Sequence, residues 1–220
     1  MSSSGYEQTE RTTPTRYRER ASYDRATVHA ILDDGYVCHL GFVRDGAPVV
    51  LPTIYGRVGE RLYIHGSTGS RPLRAAGEAH EAGMPVCVTV THVDGLVLAR
   101  SAFNHTLNYR SVVIQGTARP VTDAEELTTA LDALVDQAVP GRSADCRPAT
   151  RKEVAATAVL RVDLTEVSAK IRNAPPANDA ADAALPHWSG VVPVTTVYGA
   201  PVPAPDQDPG APVPAYLTGR

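Results

Sequence analysis

Residues 36–56 read YVCHLGFVRDGAPVVLPTIYG, and they carry the clearest structural signal in the chain. Aromatic and β-branched residues fill Tyr36–Arg44, which predicts a strand. The Asp45-Gly46 dipeptide that follows is a strong signal for a tight hairpin turn. A second strand is predicted at Ala47–Arg57. Because proline has no N–H to donate to a ladder, Pro52 should lie at a bulge or at a sheet edge.

The rest of the chain adds strands and helices to this hairpin. Further strands are predicted at Arg61–His65, Pro85–Val93, Leu96–Ser101, Asn108–Val121 and Thr157–Ile171, with Asp94-Gly95 as a second tight turn. Helices are predicted at Asp24–Asp34, Thr122–Ala138 and Thr150–Ala156. The fold class is therefore mainly β (α+β), with about six antiparallel strands and peripheral helices. Such strands could close into a small barrel, which removes exposed edges, and an open sheet packed by helices is the alternative.

The composition limits the classes of protein to which the chain can belong. Its 220 residues carry 21 Lys and Arg against 24 Asp and Glu, a formal net charge of −3, which excludes a basic nucleic-acid footprint over the whole chain. No apolar run approaches the roughly 20 residues that span a bilayer, and the N-terminal segment is polar, so we expect a cytoplasmic protein without membrane contact. The three cysteines suit reduced, structural thiols, and no histidine or cysteine spacing predicts a metal site.

The distribution of proline divides the chain into three parts. Ten of the 18 prolines fall in Ala174–Arg220, which has no sustained hydrophobic period. We expect a flexible arm at residues 1–22, one folded domain at 23–172 and a proline-rich extension at 173–220. Within the extension, Trp188 and the neighbouring valines predict a docked first part, and the last part is predicted to be disordered.

A loop of small and hydroxyl residues follows the third predicted strand. Residues 65–77 read HGSTGSRPLRAAG, in which Ser70 could cap a helix and Pro72 would occupy its first turn. Backbone amides at a helix start, hydroxyl groups and the guanidinium of Arg71 together would suit a phosphate group. An ordinary strand–helix connection with solvated arginines is the alternative.

Two further segments are candidates for contact with a ligand. A bulge within LPTIYG, Leu51–Gly56, would expose backbone groups that could bind the polar edge of a flat heterocycle, whereas an ordinary edge strand would not. The segment SAFNHTLNYRSVV, Ser101–Val113, is rich in polar side chains and is typical either of a pocket rim or of a polar surface loop.

These segments occur in an order that resembles the pyridoxamine 5′-phosphate oxidase-like flavin-nucleotide-binding proteins, in particular the branch of the nitroimidazole-resistance proteins. The resemblance rests on YVCHLGFVRDGAPVVLPTIYG, LYIHGSTGSRPLRA, CVTVT and NYRSVVIQGTARPV, and it covers about Tyr23–Arg172. It implies a six-stranded antiparallel split β-barrel that forms a homodimer, with FMN in grooves between the two subunits.

The same resemblance implies a set of cofactor-binding residues. They are Leu51, Pro52, Thr53 and Ile54 beside the isoalloxazine ring, His65, Ser67, Ser70 and Arg71 at the ribityl phosphate, and Tyr109, Arg110 and Ser111 reaching the flavin of the partner. Pyridoxamine phosphate oxidases usually carry a lysine where Thr53 stands, and Ser-Arg-Lys where this chain has Ser70-Arg71-Pro72. These differences argue against oxidation of vitamin B6 and remove two cations from the expected FMN site.

We therefore expect an FMN-binding flavoprotein, an oxidoreductase that acts on a small organic substrate by hydride exchange at the flavin. The sequence identifies no catalytic acid or base. The alternatives are a split-barrel enzyme that binds haem or the deazaflavin F420, and a flavin-binding protein without catalytic activity.

Overall fold

The computed structural model describes residues 5–67, 82–208 and 210–218. The strands of these residues are β1 Ala21–Ser22, β2 Val37–Arg44, β3 Ala47–Val58, β4 Arg61–Ser67, β5 Met84–Leu98, β6 Thr106–Pro120, β7 Thr157–Asp163, β8 Glu166–Arg172 and β9 Gly190–Pro193. The α-helices are α1 Arg25–Asp33, α2 Ala124–Ala138 and α3 Arg151–Ala156. None of the helices in these residues is long and apolar enough to cross a membrane.

Six strands, β2 to β7, close into a ring in the order β6-β7-β4-β3-β2-β5, with β5 pairing back onto β6. Every pairing in the ring is antiparallel. The ring confirms the predicted split barrel over the open sheet. Its interior holds a single large cluster of apolar side chains, because alternate residues of each strand point inward. The remaining strands extend the sheet beyond the ring, β8 and β1 beside β6 and β9 beside β5.

The β2–β3 hairpin forms where Asp45-Gly46 predicts it. Asp45 has φ of 51° and Gly46 has φ of 77°, the left-handed conformations that a two-residue hairpin turn requires. The ladder runs without a register shift from Arg44–Ala47 to Val37–Ile54, so Pro52 does not form a bulge. Residues 47–54 of β3 pair only with β2 among the described residues, and Pro52 therefore lies on an open edge, the other position that suits proline.

Two strand predictions are wrong. Asp94-Gly95 is not a hairpin turn, because β5 continues through it to Leu98 and the register against β6 merely shifts between Val93 and Gly95. The segment predicted as one strand at Thr157–Ile171 is two strands. β7 pairs with β4 and the end of β6, whereas β8 pairs with the middle of β6.

The three helices predicted at Asp24–Asp34, Thr122–Ala138 and Thr150–Ala156 are present, and their sequence caps explain where they begin. The helix that Ser70 could cap lies outside the described residues. The side chains of Asp24, Asp123 and Thr150 accept hydrogen bonds from the backbone at the starts of α1, α2 and α3. Helix α1 packs against the barrel core with Val28, Ile31 and Leu32, a set that is 0–2% exposed.

Helix α2 covers the outer side of the barrel over β4, β7 and the end of β3. Its Ala130 packs with Tyr63 and Val159 in a second apolar cluster. The helix lies so close to Gly56 that a Cβ built there would be 2.7 Å from the backbone of Ala133. Glycine is therefore required at this position for the helix to approach the strand.

The N-terminal segment contributes to the same core. Tyr6 is 6% exposed, and its hydroxyl donates to Glu60 at 2.8 Å and contacts Nε2 of His29 at 3.0 Å. Burial raises the pKa of Tyr6, and the bond to Glu60 adds to the shift. Arg25 lies over the same ring and pairs with Glu60 at 2.5 Å.

Candidate functional site

One side of the barrel exterior has no helix over it in the part of the chain that the structure describes. On β2 and β3 its side chains are Val37, His39, Val43, Pro48, Val50, Pro52 and Ile54, which point away from the core by strand alternation. On β5 and β6 they are Thr89, Thr91, Val93, Leu96, Leu107, Tyr109, Ser111 and Val113. We call this surface the outer face. Val43 and Val50 are 68% and 62% exposed, and a contiguous apolar surface of this kind marks a binding site.

The outer face continues onto β9 as a row of aliphatic side chains. Leu96 pairs with Leu107 on one side and with Val192 on the other, and each of the three is 41–42% exposed. Val93 and Tyr109 pair on the same face, before the irregularity at Asp94. The end of the outer face near the β5–β6 connection is therefore apolar, and we call it the distal end.

A cleft of about 640 Å³ opens beside the outer face, between the barrel and the C-terminal extension. Its lining residues are Asp34, Gly35, Tyr36, Val37, Thr91, His92, Val93, Asp94, Arg110, Val194, Thr195, Thr196 and Tyr198. The backbone of Val194 donates to the carbonyl of Asp94 at 3.1 Å, which holds the extension against the barrel. The volume lies in the range of small-molecule sites, and the lining is mostly polar.

Arg110 organises the charges of this cleft. Its guanidinium donates to both carboxylate oxygens of Asp94 at 2.9–3.2 Å and to Asp34 at 2.9 Å. The bonds to Asp94 raise the pKa of Arg110 above its usual value. Two carboxylates thus surround one guanidinium. Arg110 therefore links Asp94 to Asp34 across the cleft and does not present a free positive charge to an anion.

His92 forms part of the cleft wall with a fixed orientation. Its Nε2 lies 3.0 Å from the carbonyl oxygen of Ile31. Because a carbonyl only accepts, Nε2 carries the hydrogen in this contact. A Cβ built on Gly35 would lie 2.9 Å from Cε1 of His92, so the close packing of the ring depends on glycine at that position.

The structure brings the predicted residues of β3 and β6 onto one face without joining them. Pro52, His39, Thr89 and Val113 form a row across the four neighbouring strands β3, β2, β5 and β6. Ile54 on β3 and Ser111 on β6 are each two residues from the ends of this row and face the same way. The ends of such a row are about 14 Å apart, at three strand spacings. Leu51 and Thr53 pair with Leu40 and Cys38, so they occupy the strand positions that alternate with those of the outer face. Tyr109 lies with Ser111 on the outer face.

His65 lies on β4, where it pairs with Val159 of β7. It is half-buried near the end of β4, and its Nδ1 is buried without a hydrogen-bond partner among the described residues. Burial lowers the pKa of His65, which favours the neutral ring. Ser67 is exposed at the end of the strand, whereas Ser70 and Arg71 lie outside the described residues. A buried imidazole nitrogen without a partner among the described residues makes His65 a candidate contact for a ligand.

The role of the acidic residues of the cleft does not follow from the sequence, which places Asp34 only at the end of a helix and Asp94 in a turn. Neither residue has a local signal for a role beside Arg110, which depends on the pairing of β5 with β6 and on the position of α1. Tyr198 lies in the extension, far in sequence from the barrel residues that line the cleft.

Comparison with known proteins gives a family and several similar structures. The model of the pyridoxamine 5′-phosphate oxidase family matches residues 24–171. The flavocytochrome Anf3 from Azotobacter vinelandii is 39% identical with a TM-score of 0.86, and the alignment covers 95% of each chain. The FAD and haem binding protein from Mycobacterium smegmatis is 42% identical with a TM-score of 0.84, over 91% of this chain and 96% of that one.

A more distant structure supports the fold alone. A protein from Bacteroides thetaiotaomicron named for 5-nitroimidazole antibiotic resistance is 20% identical with a TM-score of 0.57, over 69% of this chain and 86% of that one. A search of curated proteins finds no match.

Proposed function

The chain belongs to the pyridoxamine 5′-phosphate oxidase family, and from this premise we propose that it is a redox protein that binds a flavin and a haem. The observation that carries the proposal is the similarity, near 40% identity over more than nine-tenths of the chain, to a flavocytochrome and to an FAD and haem binding protein. This similarity favours haem as a second cofactor beside the flavin, whereas the sequence left haem as an alternative to FMN.

The residues around the open edge of β3 fit a flavin. Residues 47–54 have no strand partner on that edge among the described residues, so their backbone groups there can bind a ligand, and Pro52 and Ile54 provide apolar contact for a flat ring. The Nδ1 atom of His65 needs a partner, and it lies at the start of the segment predicted to hold a phosphate. A bound flavin supplies hydride and electron transfer, while the protein binds and orients it.

We propose FAD as the flavin, with FMN, the sequence expectation, as the second candidate. The relative that is 42% identical is named for FAD. Pro72 stands where the pyridoxamine phosphate oxidases usually carry a lysine, and the loss of that cation weakens the basis for an FMN phosphate site. F420 is the third candidate.

The residues of the outer face also fit a haem. A porphyrin is a large flat apolar ring, and the aliphatic row of Leu96, Leu107 and Val192 leaves a surface of that kind exposed. Two histidines stand on or near the face, His39 opposite Pro52 and His105 just before β6. The described residues thus include an apolar surface and histidines, and histidine is one of the residues that hold haem iron.

We further propose that the protein works as a homodimer in the cytoplasm on a small organic substrate. The outer face leaves apolar side chains exposed, among them Val43 at 68% and Val50 at 62%. A second copy on the outer face would cover them and would complete a site to which each subunit contributes. All three cysteines are free, which suits a reducing compartment.

The proposal is tested by titrating the flavin-free protein with FAD, FMN and F420 while flavin fluorescence is measured. We expect the tightest binding for FAD. Arg71→Ala should weaken it about tenfold or more, because a guanidinium–phosphate contact contributes about 1.5–3 kcal/mol. Arg44→Ala, at the exposed end of β2, is the matched control. Absence of saturable binding of FAD and FMN contradicts the proposed function. An unchanged dissociation constant for Arg71→Ala contradicts the assignment of the phosphate site.

A further inference from the structure

We propose that His105 is an axial ligand of the haem, and this inference rests on the haem half of the proposed function. Histidines that bind a metal through one ring nitrogen usually donate the N–H of the other to a carbonyl or carboxylate oxygen. That second bond fixes the tautomer and the direction of the ring. A histidine suited to bind haem iron is therefore one whose Nδ1–H is already held in this way and whose Nε2 is accessible.

His105 meets this description. Its Nδ1 lies 3.0 Å from the backbone carbonyl oxygen of Ser101. Because the carbonyl only accepts, Nδ1 carries the hydrogen and Nε2 keeps its lone pair. The residue is exposed, and no hydrogen bond occupies Nε2 among the described residues.

The loop that carries His105 is rigidly built. The amide of Phe103 donates to the hydroxyl of Ser101 at 3.2 Å, and the amide of Asn104 donates to the Ser101 carbonyl at 3.2 Å. The side chain of Asn104 donates to Asp179 of the C-terminal extension at 3.3 Å. These contacts hold the imidazole in place before any ligand binds, which lowers the entropy lost on coordination.

The surroundings of His105 suit an apolar macrocycle. His105 and Leu107 are two residues apart in extended backbone, so they lie on the same side of the chain. Leu107 begins the exposed aliphatic row that continues through Leu96 to Val192. Phe103, in the same loop, is 92% exposed, an unusual state for a large aromatic side chain that has no partner.

Four other histidines of the described residues are less suited. Nε2 of His29 contacts Tyr6 and Glu60, and Nε2 of His92 contacts a carbonyl, so these nitrogens are engaged. His39 and His65 lie beside the edge of β3, where the flavin is proposed to bind. His105 stands at the distal end of the outer face, which leaves room for a second cofactor.

Haemin titration of the full-length protein tests the proposal, with the Soret band and the electron paramagnetic resonance spectrum as readouts. We expect the wild type to take up haemin saturably, and His105→Ala to bind it at least about tenfold more weakly or with an altered spin state. Added imidazole should restore the wild-type spectrum of His105→Ala. His187→Ala, in the exposed extension, is the matched control and should behave as the wild type.

Two results overturn the assignment. One is a His105→Ala protein with the affinity and spectra of the wild type, and the other is the same loss in His39→Ala instead. If the wild type itself takes up no haemin saturably, both the proposed haem binding and the assignment of His105 fail. Flavin binding is tested separately by the flavin titration. Thermal unfolding of each variant distinguishes loss of the ligand from loss of the fold.

Discussion

Asp94 accepts hydrogen bonds from two guanidinium nitrogens of Arg110, over 2.9–3.2 Å, across the irregular point of the β5–β6 ladder. The same guanidinium donates to Asp34, the residue that follows helix α1. One arginine therefore joins the long central strands to the end of the first helix and shapes the cleft beneath the C-terminal extension. This network, and not a turn, is the role of Asp94 in the fold.

Asp94→Asn should lower the free energy of unfolding by about 1 kcal/mol, because it removes one charged partner of a partly exposed bridge. Asp45→Asn is the matched control, since Asp45 stands in the exposed hairpin turn, a position that suits asparagine equally well. Urea unfolding of both variants measures the difference. Equal stabilities for the two variants would show that the Asp94 bridge contributes nothing.

Gly56→Ala should destabilise the protein by about 1–3 kcal/mol, because its Cβ would lie 2.7 Å from the backbone of Ala133 and force helix α2 away from the barrel. Gly199→Ala has no atom within 4 Å of the added carbon and serves as the control. Thermal unfolding followed by circular dichroism compares them. A Gly56→Ala protein as stable as Gly199→Ala would contradict the close approach of α2 to β3.

The stability of the cofactor-free protein should fall as the pH is lowered from about 7 to 5. Burial lowers the pKa of His65 below its ordinary value of 6.5, so the unfolded chain binds a proton before the folded chain does. The contribution of His65 is complete above pH 6.5 and is lost as the pH falls toward its folded pKa. His65→Gln should show a smaller slope of unfolding free energy against pH in this interval, and an identical slope would exclude a buried neutral ring.

Truncation after Asn173 should lower both the melting temperature and the flavin content. It removes β9, which pairs with β5, and the wall of the cleft formed by residues 194–198. Truncation after Gly199 keeps both features and should retain flavin near the wild-type level. The flavin content of the two purified proteins is compared by absorbance after denaturation. Equal flavin retention would show that the extension does not build the site.

Local sequence patterns predicted the first antiparallel strands, the helix starts and the Asp45-Gly46 turn, because each depends on neighbours in sequence. They left a barrel and an open sheet as alternatives, and only the resemblance to the family implied the closed form. Asp94-Gly95 has the same two residues and a different structure. There β6 supplies a pairing partner along the whole of β5, and Gly95 is needed where a Cβ would lie 2.9 Å from Val191. Such a contact joins residues far apart in sequence, which a local pattern cannot reveal.

The candidate site shows the same limit. The edge position of Pro52 followed from the chemistry of proline, and the chain order of motifs predicted the family. The partners of Arg110, the buried Nδ1 of His65 and the fixed ring of His105 each depend on packing between distant segments. The sequence expectation of FMN rested on resemblance to the family as a whole, whereas the relatives near 40% identity direct the proposal to FAD and haem.

The most direct test of this account is the absorption spectrum of the full-length protein as purified, combined with the mass of each cofactor released on denaturation. The account predicts flavin bands and a Soret band in one protein, with the masses of FAD and haem b in the released fraction. A spectrum without flavin absorption after expression with adequate riboflavin and haem precursor, or release of F420 in place of a flavin, would contradict it.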